Sequence, residues 1–335
     1  MAGDGPDHAG ARAQAHAARW AGRREDPAVQ PRRRTAPDAA RPGAAESRPG
    51  ALAGGPGGDR CQVRCGTREG GSPGVVRIDR MSPSRAPFFD TNCACAHMEI
   101  DMDIRGKTIL VTGANRGLGR QFTQALLAAG AAKVYAGARD PGTVTQPGVH
   151  PVRLDVTDPK SIEAAAAQLH DVDVLINNAG ISQPASLLEP ADTGAVQAIF
   201  DVNVWGLLAV TQAFAPVLGR NGGGAVVNVL SVLSWMALPT SGAYSASKSA
   251  AWALTNGLRH ELRGQGTRVV GVHPAFIDTD MTAGIDAPKS SPEHVVNEVL
   301  RALAEDREEV LVDEMGRGVK RSLSSDAPAY LAARV

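Results

Sequence analysis

The sequence predicts a doubly wound α/β domain, in which helices cover both faces of a parallel sheet. Three observations support this fold class. From about residue 103 onward, short apolar runs alternate with longer amphipathic runs. The short runs are apolar at nearly every position, as in strands buried on both faces, and a glycine-rich segment directly follows the first of them. The sequence therefore predicts one domain over residues 103–335, a length that suits a single α/β domain.

The elements follow from these runs in chain order. Strands rich in Val, Ile and Leu are predicted at residues 107–112, 133–137, 150–154, 173–176, 225–230, 268–272 and 309–312. Helices with an apolar face are predicted at residues 117–129, 159–169, 193–218, 242–263 and 292–304. Only about ten residues join the second strand to the third, whereas a crossover helix needs about a dozen or more. The second crossover is therefore predicted to shrink to about one turn.

The first 97 residues differ from the domain in composition. They are rich in Ala, Gly, Pro and Arg and hold 15 Arg against 10 Asp and Glu, whereas the remainder holds 20 basic and 25 acidic residues. Apolar residues are sparse there and follow no period, so the segment cannot bury enough surface to offset the entropy of ordering it. We predict a disordered, low-complexity extension over residues 1–97.

Three interpretations of this extension compete. Its four cysteines have a poor spacing for zinc. A basic tail that contacts nucleic acid or a membrane is opposed by its acidic residues. We favour the third interpretation, in which the native start is one of two methionines just ahead of the first strand, Met98 or Met102. The cysteines are Cys61, Cys65, Cys93 and Cys95.

The domain itself is slightly acidic and contains no cysteine. This charge gives no electrostatic argument for nucleic acid, and a domain without disulfides suits a reducing cytoplasm. No run approaches the ~18 uncharged apolar residues of a membrane span, and the N-terminus lacks the apolar region of a signal peptide. We expect a cytoplasmic protein that binds no nucleic acid, membrane or metal.

A glycine-rich turn lies between the first strand and the first helix, at Gly113, Gly117 and Gly119. At this place backbone N–H groups and the helix N-terminus can receive a pyrophosphate. Gly113 allows the turn, Gly117 lets the backbone approach phosphates, and Gly119 permits close packing of helix on strand. A glycine-rich loop without a ligand is the alternative, and the position between strand and helix favours a nucleotide. Asn115, Arg116 and Leu118 share this turn.

The end of the second strand indicates which dinucleotide is bound. An NAD enzyme presents Asp or Glu there to the ribose 2′-hydroxyl, but this chain has Gly and Ala and then Arg139. Arg116 adds a second guanidinium, and Arg can grip a 2′-phosphate bidentately. Asp140 follows one residue later and is the argument against. The pattern favours NADP(H) over NAD(H).

Further cofactor contacts are expected after the third and fourth strands. Asp155, followed by Val156, is placed to accept a hydrogen bond from the adenine amino group. In residues 177–180, Asn side chains can bridge backbones and Gly180 leaves room for the cofactor. The candidate contacts in that segment are Asn178, Ala179 and Gly180.

Tyr244 and Lys248 lie four residues apart at the start of a predicted helix and so share one face. Free tyrosine, with a pKa of about 10, is a poor base, and a nearby ammonium favours its phenolate. Tyr244 is thus the candidate acid/base. Ser231, after the fifth strand, can bond the reacting oxygen, and Asn203 is placed to hold a water that links Lys248 to solvent.

In this order and spacing, the motifs resemble those of the single-domain short-chain dehydrogenases/reductases. The similarity covers residues 105–315 and implies a Rossmann fold of about seven strands. It implies a catalytic tetrad of Asn203, Ser231, Tyr244 and Lys248, with Tyr244 and Lys248 also contacting the cofactor, and assembly into homodimers or homotetramers. The residues that carry it are Thr112, Gly117, Gly119, Asp155, residues 177–180, Asn203, Ser231, Tyr244 and Lys248.

The chain departs from this family after the sixth strand. The family usually has Pro-Gly there, whereas this chain has Pro274 followed by Ala275, which removes the freedom to adopt a positive φ. Ile277 and Thr279 remain where the family contacts the nicotinamide carboxamide. We therefore expect an altered substrate fit rather than lost activity.

The predicted substrate is an apolar ketone or aldehyde, or the corresponding alcohol, because the loops beyond the strand ends are rich in apolar side chains. Packing of these side chains in the core or between subunits is the alternative. A sugar-nucleotide epimerase and a non-catalytic NADP(H) sensor are the rival functions. The candidate substrate residues are Leu233, Trp235, Met236, Phe276 and Met281, with Ile181 and Leu238 beside them.

Overall fold

The computed structural model describes residues 103–239 and 241–332. The predicted extension over residues 1–97, its cysteines and the proposed starts at Met98 or Met102 lie outside this part of the chain. The described residues form one sheet of seven parallel strands in the order β3-β2-β1-β4-β5-β6-β7. The strands are β1 Thr108–Thr112, β2 Lys133–Ala138, β3 His150–Arg153, β4 Val174–Asn177, β5 Gly224–Val229, β6 Thr267–His273 and β7 Glu309–Leu311.

Helices lie on both faces of this sheet, which confirms the predicted fold class. The strand order reverses between β1 and β4, so the sheet has a topological switch point there. The helices are α1 Gly117–Ala128, α2 Pro159–Gln168, α3 Thr193–Phe200, α4 Leu207–Arg220, α5 Gly242–Arg263, α6 Pro292–Ala304, α7 Glu314–Ser322 and α8 Ala329–Ala332.

Alternate residues of each strand build two separate hydrophobic cores. In β1, Ile109 faces the core formed with α1 and α6, and Leu110 faces the core formed with α2, α4 and α5. Phe122 of α1 and Phe214 of α4 are fully buried, one in each core. Because burial of such a side chain stabilises a fold by about 1.5–3 kcal/mol, both faces need apolar strand residues. This explains why the strands read as continuous apolar runs.

The predicted short crossover between β2 and β3 is confirmed. The connection contains only one short 3₁₀ turn, Pro141–Thr143. The Asp140 carboxylate caps that turn by accepting a hydrogen bond from the Gly142 N–H at 2.9 Å. The turn therefore begins directly at the end of β2, where one face of the nucleotide site is expected.

The helix predicted over residues 193–218 is instead broken in two. A π-helical turn, Asp201–Gly206, separates α3 from α4. A side chain at Gly206 would lie 2.9 Å from the Val156 carbonyl oxygen, so the glycine lets the helix approach the loop after β3. Such π turns insert a residue into the helical pattern and often occur at functional sites, and this one contains Asn203.

Two C-terminal helices, α7 and α8, were absent from the prediction. Helix α7 contains two glycines and few apolar residues, so its sequence has little helix signal of its own. Its first turn is capped by the Asp313 carboxylate, which accepts from the Gly316 N–H at 2.7 Å. The same carboxylate accepts from the Ala275 N–H at 2.8 Å, so capping and tertiary docking share one side chain.

One helical stretch in the described residues, Pro190–Arg220, is long and apolar enough to cross a membrane by length and composition alone. A core helix of a globular domain passes the same test of length and composition. Half of the most apolar window in this stretch is buried inside the domain, where Val210, Phe214 and Leu218 pack in a core. This is the environment of a core helix in a globular domain.

Candidate active site

The candidate site residues meet at the carboxyl ends of β1, β4, β5 and β6, beside the switch point. In open α/β sheets this edge is where ligands bind, because the connecting loops diverge there and leave a crevice. The glycine turn follows β1, the segment around Asn178 follows β4, and Ser231 follows β5. Tyr244 and Lys248 are brought to the same edge by the first two turns of α5.

The glycine turn is built from backbone that a side chain would obstruct. Gly113 and Gly117 have φ values of 62° and 50°, in the left-handed region that favours glycine. A side chain on Gly119 would lie 2.2 Å from the Gly113 carbonyl oxygen, so α1 starts in direct contact with the end of β1. The Ala114 N–H donates to the Gly137 carbonyl at 3.0 Å, which joins the turn to β2.

Thr112 and Asn178 join the ends of β1 and β4. The Thr112 hydroxyl oxygen accepts hydrogen bonds from the backbone N–H groups of Asn178 and Ala179, both at 3.0 Å. The Asn178 amide donates in return to the carbonyls of Thr112 and Gly113, at 2.9 and 3.1 Å. These four bonds fix the glycine turn against the loop after β4, as predicted for a backbone-bridging asparagine.

Two arginines flank the glycine turn on its solvent side. Arg116 is the N-cap residue of α1 and its exposed guanidinium lies 3.8 Å from the Asp280 carboxylate. Arg139 is exposed at the end of β2 and makes no ion pair within residues 103–239 and 241–332. The Asp140 carboxylate next to it is occupied in capping the 3₁₀ turn. Asn115 reaches from the glycine turn to the Thr143 hydroxyl at 3.2 Å.

Asp155 and Val156 lie half-buried in the loop after β3. One carboxylate oxygen of Asp155 accepts from the N–H and the hydroxyl of Thr157, at 3.0 and 2.8 Å. Its other oxygen makes no hydrogen bond to a described residue and is free to meet a donor such as an adenine amino group. Val156 contacts the π turn at Gly206.

Ser231 stands at the start of a short 3₁₀ turn, Val232–Ser234, directly beyond β5. It is buried, and its hydroxyl oxygen accepts from the Leu233 N–H at 3.1 Å while interacting with the Tyr244 hydroxyl. The Val232 N–H donates to the Pro274 carbonyl at 2.9 Å, so the pairing of the two strand ends continues past β5. The Ser231 hydroxyl is thus held rigidly beside Tyr244.

Tyr244 and Lys248 are both displaced toward their neutral forms. Burial raises the pKa of Tyr244 to about 12, and hydrogen bonding to the Ser231 side chain opposes this rise. Burial lowers the pKa of Lys248 to about 8, and its Nζ lies 5.7 Å from the Tyr244 ring centroid while donating to the Val229 carbonyl at 2.8 Å. The ammonium was expected to lower the pKa of Tyr244, but that pKa is raised in this structure because desolvation dominates. Tyr244 carries its proton at neutral pH.

Asn203 anchors the loop after β4 rather than reaching Lys248. Its amide oxygen accepts from the Ile181 N–H at 2.9 Å, and its amide nitrogen donates to the Ile181 carbonyl at 2.9 Å and the Ser247 hydroxyl at 3.0 Å. A side chain at Gly180 would lie 3.3 Å from the Asn203 Oδ1 and 3.7 Å from the Lys248 Nζ. Gly180 therefore keeps open the space between the two polar groups.

The loop after β6 closes over the glycine turn. A side chain at Gly117 would lie 3.6 Å from the Thr279 side chain, and the Thr282 hydroxyl bonds the Ile277 carbonyl. Ala275 does not adopt a positive φ. Its N–H is instead bound by Asp313, so the turn after Pro274 is stabilised by a carboxylate and not by glycine.

The candidate substrate residues divide into two groups. Met236 and Phe276 are half-buried and Met281 is 51% exposed, so these three retain solvent-accessible apolar surface. Leu233 and Trp235 are buried. The Trp235 ring stacks on the His273 ring at 4.0 Å between centroids, which differs from the prediction that it lines the substrate space. It packs beneath the site instead.

Four residues that contribute to the site were not among its predicted residues. Thr112 is a buried polar residue at the end of an apolar strand, and Gly206 is a lone glycine in a helical pattern, which are signals the sequence does carry. Leu187 packs on Gly242, where a side chain would lie 2.8 Å from its Cδ1. His273 contacts the Ser231 carbonyl, and this long-range contact has no local sequence signal.

Comparison with known proteins gives the same family from three directions. A family model described as short chain dehydrogenase matches residues 107–290. The chain is 34% identical over 217 residues to the short chain dehydrogenase tazN of Aspergillus terreus, a match that covers 59% of this chain but only 47% of that protein. It is 34% identical over 227 residues to the 1-deoxy-11-beta-hydroxypentalenate dehydrogenase of Streptomyces exfoliatus, covering 62% and 82% of the two chains.

Among solved structures, a short chain dehydrogenase from Burkholderia cenocepacia in complex with NADP is similar to this fold. It is 41% identical, has a TM-score of 0.65, and the alignment covers 67% of this chain and 95% of that one. The family model alone matches more than half of the chain. Sequence motifs, sheet topology and relatives therefore agree that this protein belongs to the short-chain dehydrogenase/reductase family.

Proposed function

We propose that this protein is an NADP(H)-dependent oxidoreductase that interconverts an apolar ketone or aldehyde and its alcohol, with Tyr244 as the acid/base. The observation that carries the proposal is the position of three groups at one strand edge. The hydroxyls of Tyr244 and Ser231 interact, and Lys248 lies beneath the tyrosine ring. A protonated phenol beside a second hydroxyl suits a carbonyl oxygen that must gain a proton.

The residues around the glycine turn fit a dinucleotide. Side chains on Gly113 or Gly119 would strike backbone, so this cradle is closed to side chains but open to phosphate oxygens, and it lies at the N-terminus of α1. The expected cofactor contacts are thus the glycine turn from Gly113 to Gly119, with Asn178, Ala179 and Gly180 beside it. The nicotinamide supplies or accepts the hydride when bound.

Side chains of this protein hold and transfer the proton. In reduction, the Tyr244 Oη donates its proton to the carbonyl oxygen, and the Ser231 hydroxyl donates a hydrogen bond to the same oxygen. In oxidation the phenolate form of Tyr244 accepts the alcohol proton, so this direction requires that the phenol has first lost its own proton to solvent. Lys248, with a pKa lowered to about 8 by burial, retains its ammonium at neutral pH and stabilises the phenolate that forms. Asn203 keeps the neighbouring loop in place.

The preference for NADP(H) is supported by the charges around the end of β2. Arg139 has no partner in the described part of the chain, and Arg116 has only a 3.8 Å contact to an exposed carboxylate. Asp140, the residue that argued for NAD(H), uses one carboxylate oxygen to cap the 3₁₀ turn. Two available guanidiniums and an occupied carboxylate favour a ribose 2′-phosphate.

This preference predicts the effect of Arg139→Ala. We expect NADPH affinity to fall about 10- to 100-fold with NADH affinity unchanged, because only NADPH carries the 2′-phosphate. The measurement is a fluorescence titration with each nucleotide. Arg220→Ala, which removes an exposed arginine at the opposite end of the sheet, is the matched control. Equal losses for NADPH and NADH in Arg139→Ala would contradict the assignment.

The catalytic proposal predicts that Tyr244→Phe abolishes turnover and leaves NADPH binding intact. The loss should be at least about 1000-fold, because the variant keeps the aromatic ring but has no transferable proton. A panel of aryl ketones and aldehydes, assayed by NADPH oxidation, provides the readout. Full activity of Tyr244→Phe would contradict the catalytic proposal.

Two rival functions give different results in the same assays. A non-catalytic NADP(H) sensor binds NADPH without consuming it against any carbonyl compound. A sugar-nucleotide epimerase interconverts sugar nucleotides without net nicotinamide oxidation. The described domain offers only short loops over the site, with no second domain that would grip a sugar nucleotide, which favours a smaller apolar substrate. A cytoplasmic location and the absence of nucleic-acid and membrane partners stay predictions.

A homodimer or homotetramer is part of the proposal. Helices α4 and α5 present an open groove of about 570 Å³ on the face away from the sheet. Trp205, 54% exposed, lies at this groove beside Leu208 and Leu254. A contiguous apolar surface of this kind is typical of a subunit contact.

A further inference from the structure

His273 is a buried histidine that the proposed chemistry does not use. It ends β6 and has no solvent exposure. Its Nδ1 lies 3.2 Å from the Ser231 carbonyl oxygen, and its ring stacks on Trp235 with centroids 4.0 Å apart and planes inclined by 18°. One side chain thus contacts both ends of the segment from residue 231 to residue 235, which includes Ser231 and Leu233.

The contact with Ser231 determines the tautomer of the ring. A carbonyl oxygen only accepts hydrogen bonds, so Nδ1 carries the proton and donates it. Burial lowers the pKa of His273 to about 4, and the ring is therefore neutral. Its Nε2 has no hydrogen-bond partner in the described part of the chain and lies 3.8 Å from the Glu309 carboxylate. Nε2 therefore carries a lone pair, and no proton lies between Nε2 and the Glu309 carboxylate.

Burial keeps the His273 ring neutral; among its charged neighbours the Glu309 carboxylate raises the pKa of the ring, whereas Lys320 and Arg259 lower it. Lys320 of α7 donates to Glu309 of β7 at 2.8 Å, which compensates the carboxylate. The Lys320 Nζ also lies 4.8 Å from the Trp235 ring centroid, over the indole that stacks on His273. Arg259 of α5, whose charge also lowers the pKa of His273, donates to backbone carbonyls of Val269 and Glu308. The ring is enclosed by three elements besides its own.

One backbone hydrogen-bond donor is missing where β5 and β6 end. The pairing of β5 with β6 continues through the Leu230 N–H to the Val272 carbonyl at 2.8 Å and the Val232 N–H to the Pro274 carbonyl at 2.9 Å. Pro274 itself has no N–H to donate in return. The imidazole of His273 supplies a donor at this place, from a side chain instead of the backbone.

We propose that His273 is a positioning residue for Ser231: its Nδ1–H and its ring face fix the 231–235 turn, so that the Ser231 hydroxyl meets the Tyr244 hydroxyl and the reacting oxygen. This inference rests on the proposed function, in which Ser231 acts on the substrate. His273 itself touches neither substrate nor cofactor. A displacement of about 1 Å in a group of this kind can lower a rate by about 100-fold.

The test compares variants that keep or remove the Nδ1 donor. We expect His273→Leu to lower kcat for an aryl aldehyde about 10- to 100-fold with NADPH affinity unchanged within about 2-fold. His273→Asn, whose amide N–H can reach the same carbonyl, should recover most of the loss. His294→Leu is the matched control, since His294 also bonds a backbone carbonyl, that of Val312 at 3.2 Å, which lies outside the 231–235 turn.

A double-mutant cycle separates positioning from general destabilisation. If His273 acts through Ser231, adding His273→Leu to Ser231→Ala should cause no further loss in kcat, because the positioned hydroxyl is already gone. An equal additional loss in that background would overturn the proposal. So would an unchanged kcat per folded molecule in His273→Leu, with only the thermal midpoint lowered.

A measurement without turnover distinguishes failure of this inference from failure of the proposed function. Long-range ¹H–¹⁵N NMR correlations on the wild-type protein should show a neutral His273 with its proton on Nδ1 between pH 5.5 and 8, a range that lies above its pKa of about 4. A proton on Nε2, or titration near the ordinary histidine pKa of about 6.5, would overturn the inference even in an active enzyme. If no carbonyl compound is reduced, the proposed function fails, and the tautomer still decides the contact with Ser231.

Discussion

At the scale of single residues, the site keeps Lys248 charged at neutral pH in surroundings that disfavour the charge. Lys248 is 5% exposed, donates a hydrogen bond to the Val229 carbonyl, and has a pKa lowered from 10.5 to about 8 by burial. That shift corresponds to a cost of about 3 kcal/mol for keeping the buried ammonium charged at pH 7. The residue therefore opposes folding while it serves the chemistry, as catalytic groups often do.

Lys248→Met should consequently raise stability at pH 7 while abolishing turnover. We expect a net gain of about 1–2 kcal/mol, since the Val229 carbonyl loses a donor worth about 1 kcal/mol, and thermal unfolding about 3–6 °C higher. Below pH 8 the lysine is charged in both the folded and unfolded states. Between pH 8 and 10.5 only the unfolded state keeps the proton, so wild-type stability rises with pH and the gain shrinks.

Scanning fluorimetry at pH 7 and pH 10 checks this prediction. Lys160→Met, at an exposed position of α2, is the control and should leave the midpoint unchanged at both pH values. A lower midpoint for Lys248→Met at pH 7 would mean that the lysine's hydrogen bond outweighs its desolvation.

The residues of the site show what local pattern can and cannot predict. The spacing of Tyr244 and Lys248 placed both on one helical face, and their position after β5 and before β6 brought them to Ser231. The pKa of Tyr244 was predicted in the wrong direction, because a sequence shows the neighbouring charge but not the burial of both groups. Trp235 was assigned to the substrate for a similar reason: its partner, His273, lies far along the chain.

At the scale of secondary-structure elements, the prediction succeeded where one periodic pattern governs the whole element. Helices α5 and α6 begin and end at the predicted residues, Gly242–Arg263 and Pro292–Ala304. It failed at the helix over residues 193–218, because the apolar pattern continues without a break through the π turn. In that turn Gly206 closely approaches Val156, a contact that the sequence does not show. Helix α7 escaped prediction because its stability comes from Asp313 and from tertiary contacts.

Asp313→Ala tests the dual role of that carboxylate. It removes the cap of α7 and leaves the Ala275 N–H without its acceptor, for a combined loss of about 2 kcal/mol in unfolding free energy. The matched control is Asp158→Ala, which removes only the cap of α2, a hydrogen bond from the Lys160 N–H at 3.1 Å. We expect the thermal midpoint to fall about twice as far in Asp313→Ala. Equal falls in the two variants would show that the contact with Ala275 contributes nothing.

At the scale of the whole molecule, the described residues include an open apolar groove between α4 and α5. Its lining is apolar except at Gln212 and Glu261, and Trp205 is the largest side chain there. The sheet and both cores are already complete without this face, so a second copy of the chain is the partner that the resemblance to dimeric and tetrameric enzymes favours.

Trp205→Glu should therefore yield monomers. A charge in the middle of an apolar subunit contact costs far more than its exposure in the monomer, and light scattering with size-exclusion chromatography measures the result. Leu188→Glu is the control, since Leu188 is 94% exposed but lies outside the groove. A wild-type protein that is monomeric at micromolar concentration would contradict this assignment.

The sheet and most of its covering helices were predictable because one alternation of apolar and amphipathic runs extends from β1 to β7. Sheet order follows from that alternation together with the right-handed crossover rule, and the short second crossover followed from chain length alone. The oligomeric face and the candidate substrate residues were not predictable to the same degree. Both consist of exposed apolar side chains, and only three-dimensional position tells one from the other.

The proposed acid/base pair, Tyr244 and Lys248, lies on α5, a helix of 22 residues anchored in a core, whereas the predicted substrate residues Phe276 and Met281 lie between β6 and α6. Phe276 and Met281 belong to none of the buried clusters of the described residues. A directed-evolution library restricted to those two codons should therefore diversify substrate choice without lowering thermal stability. Selection would then yield new substrate specificities while the proposed catalytic residues stay unchanged.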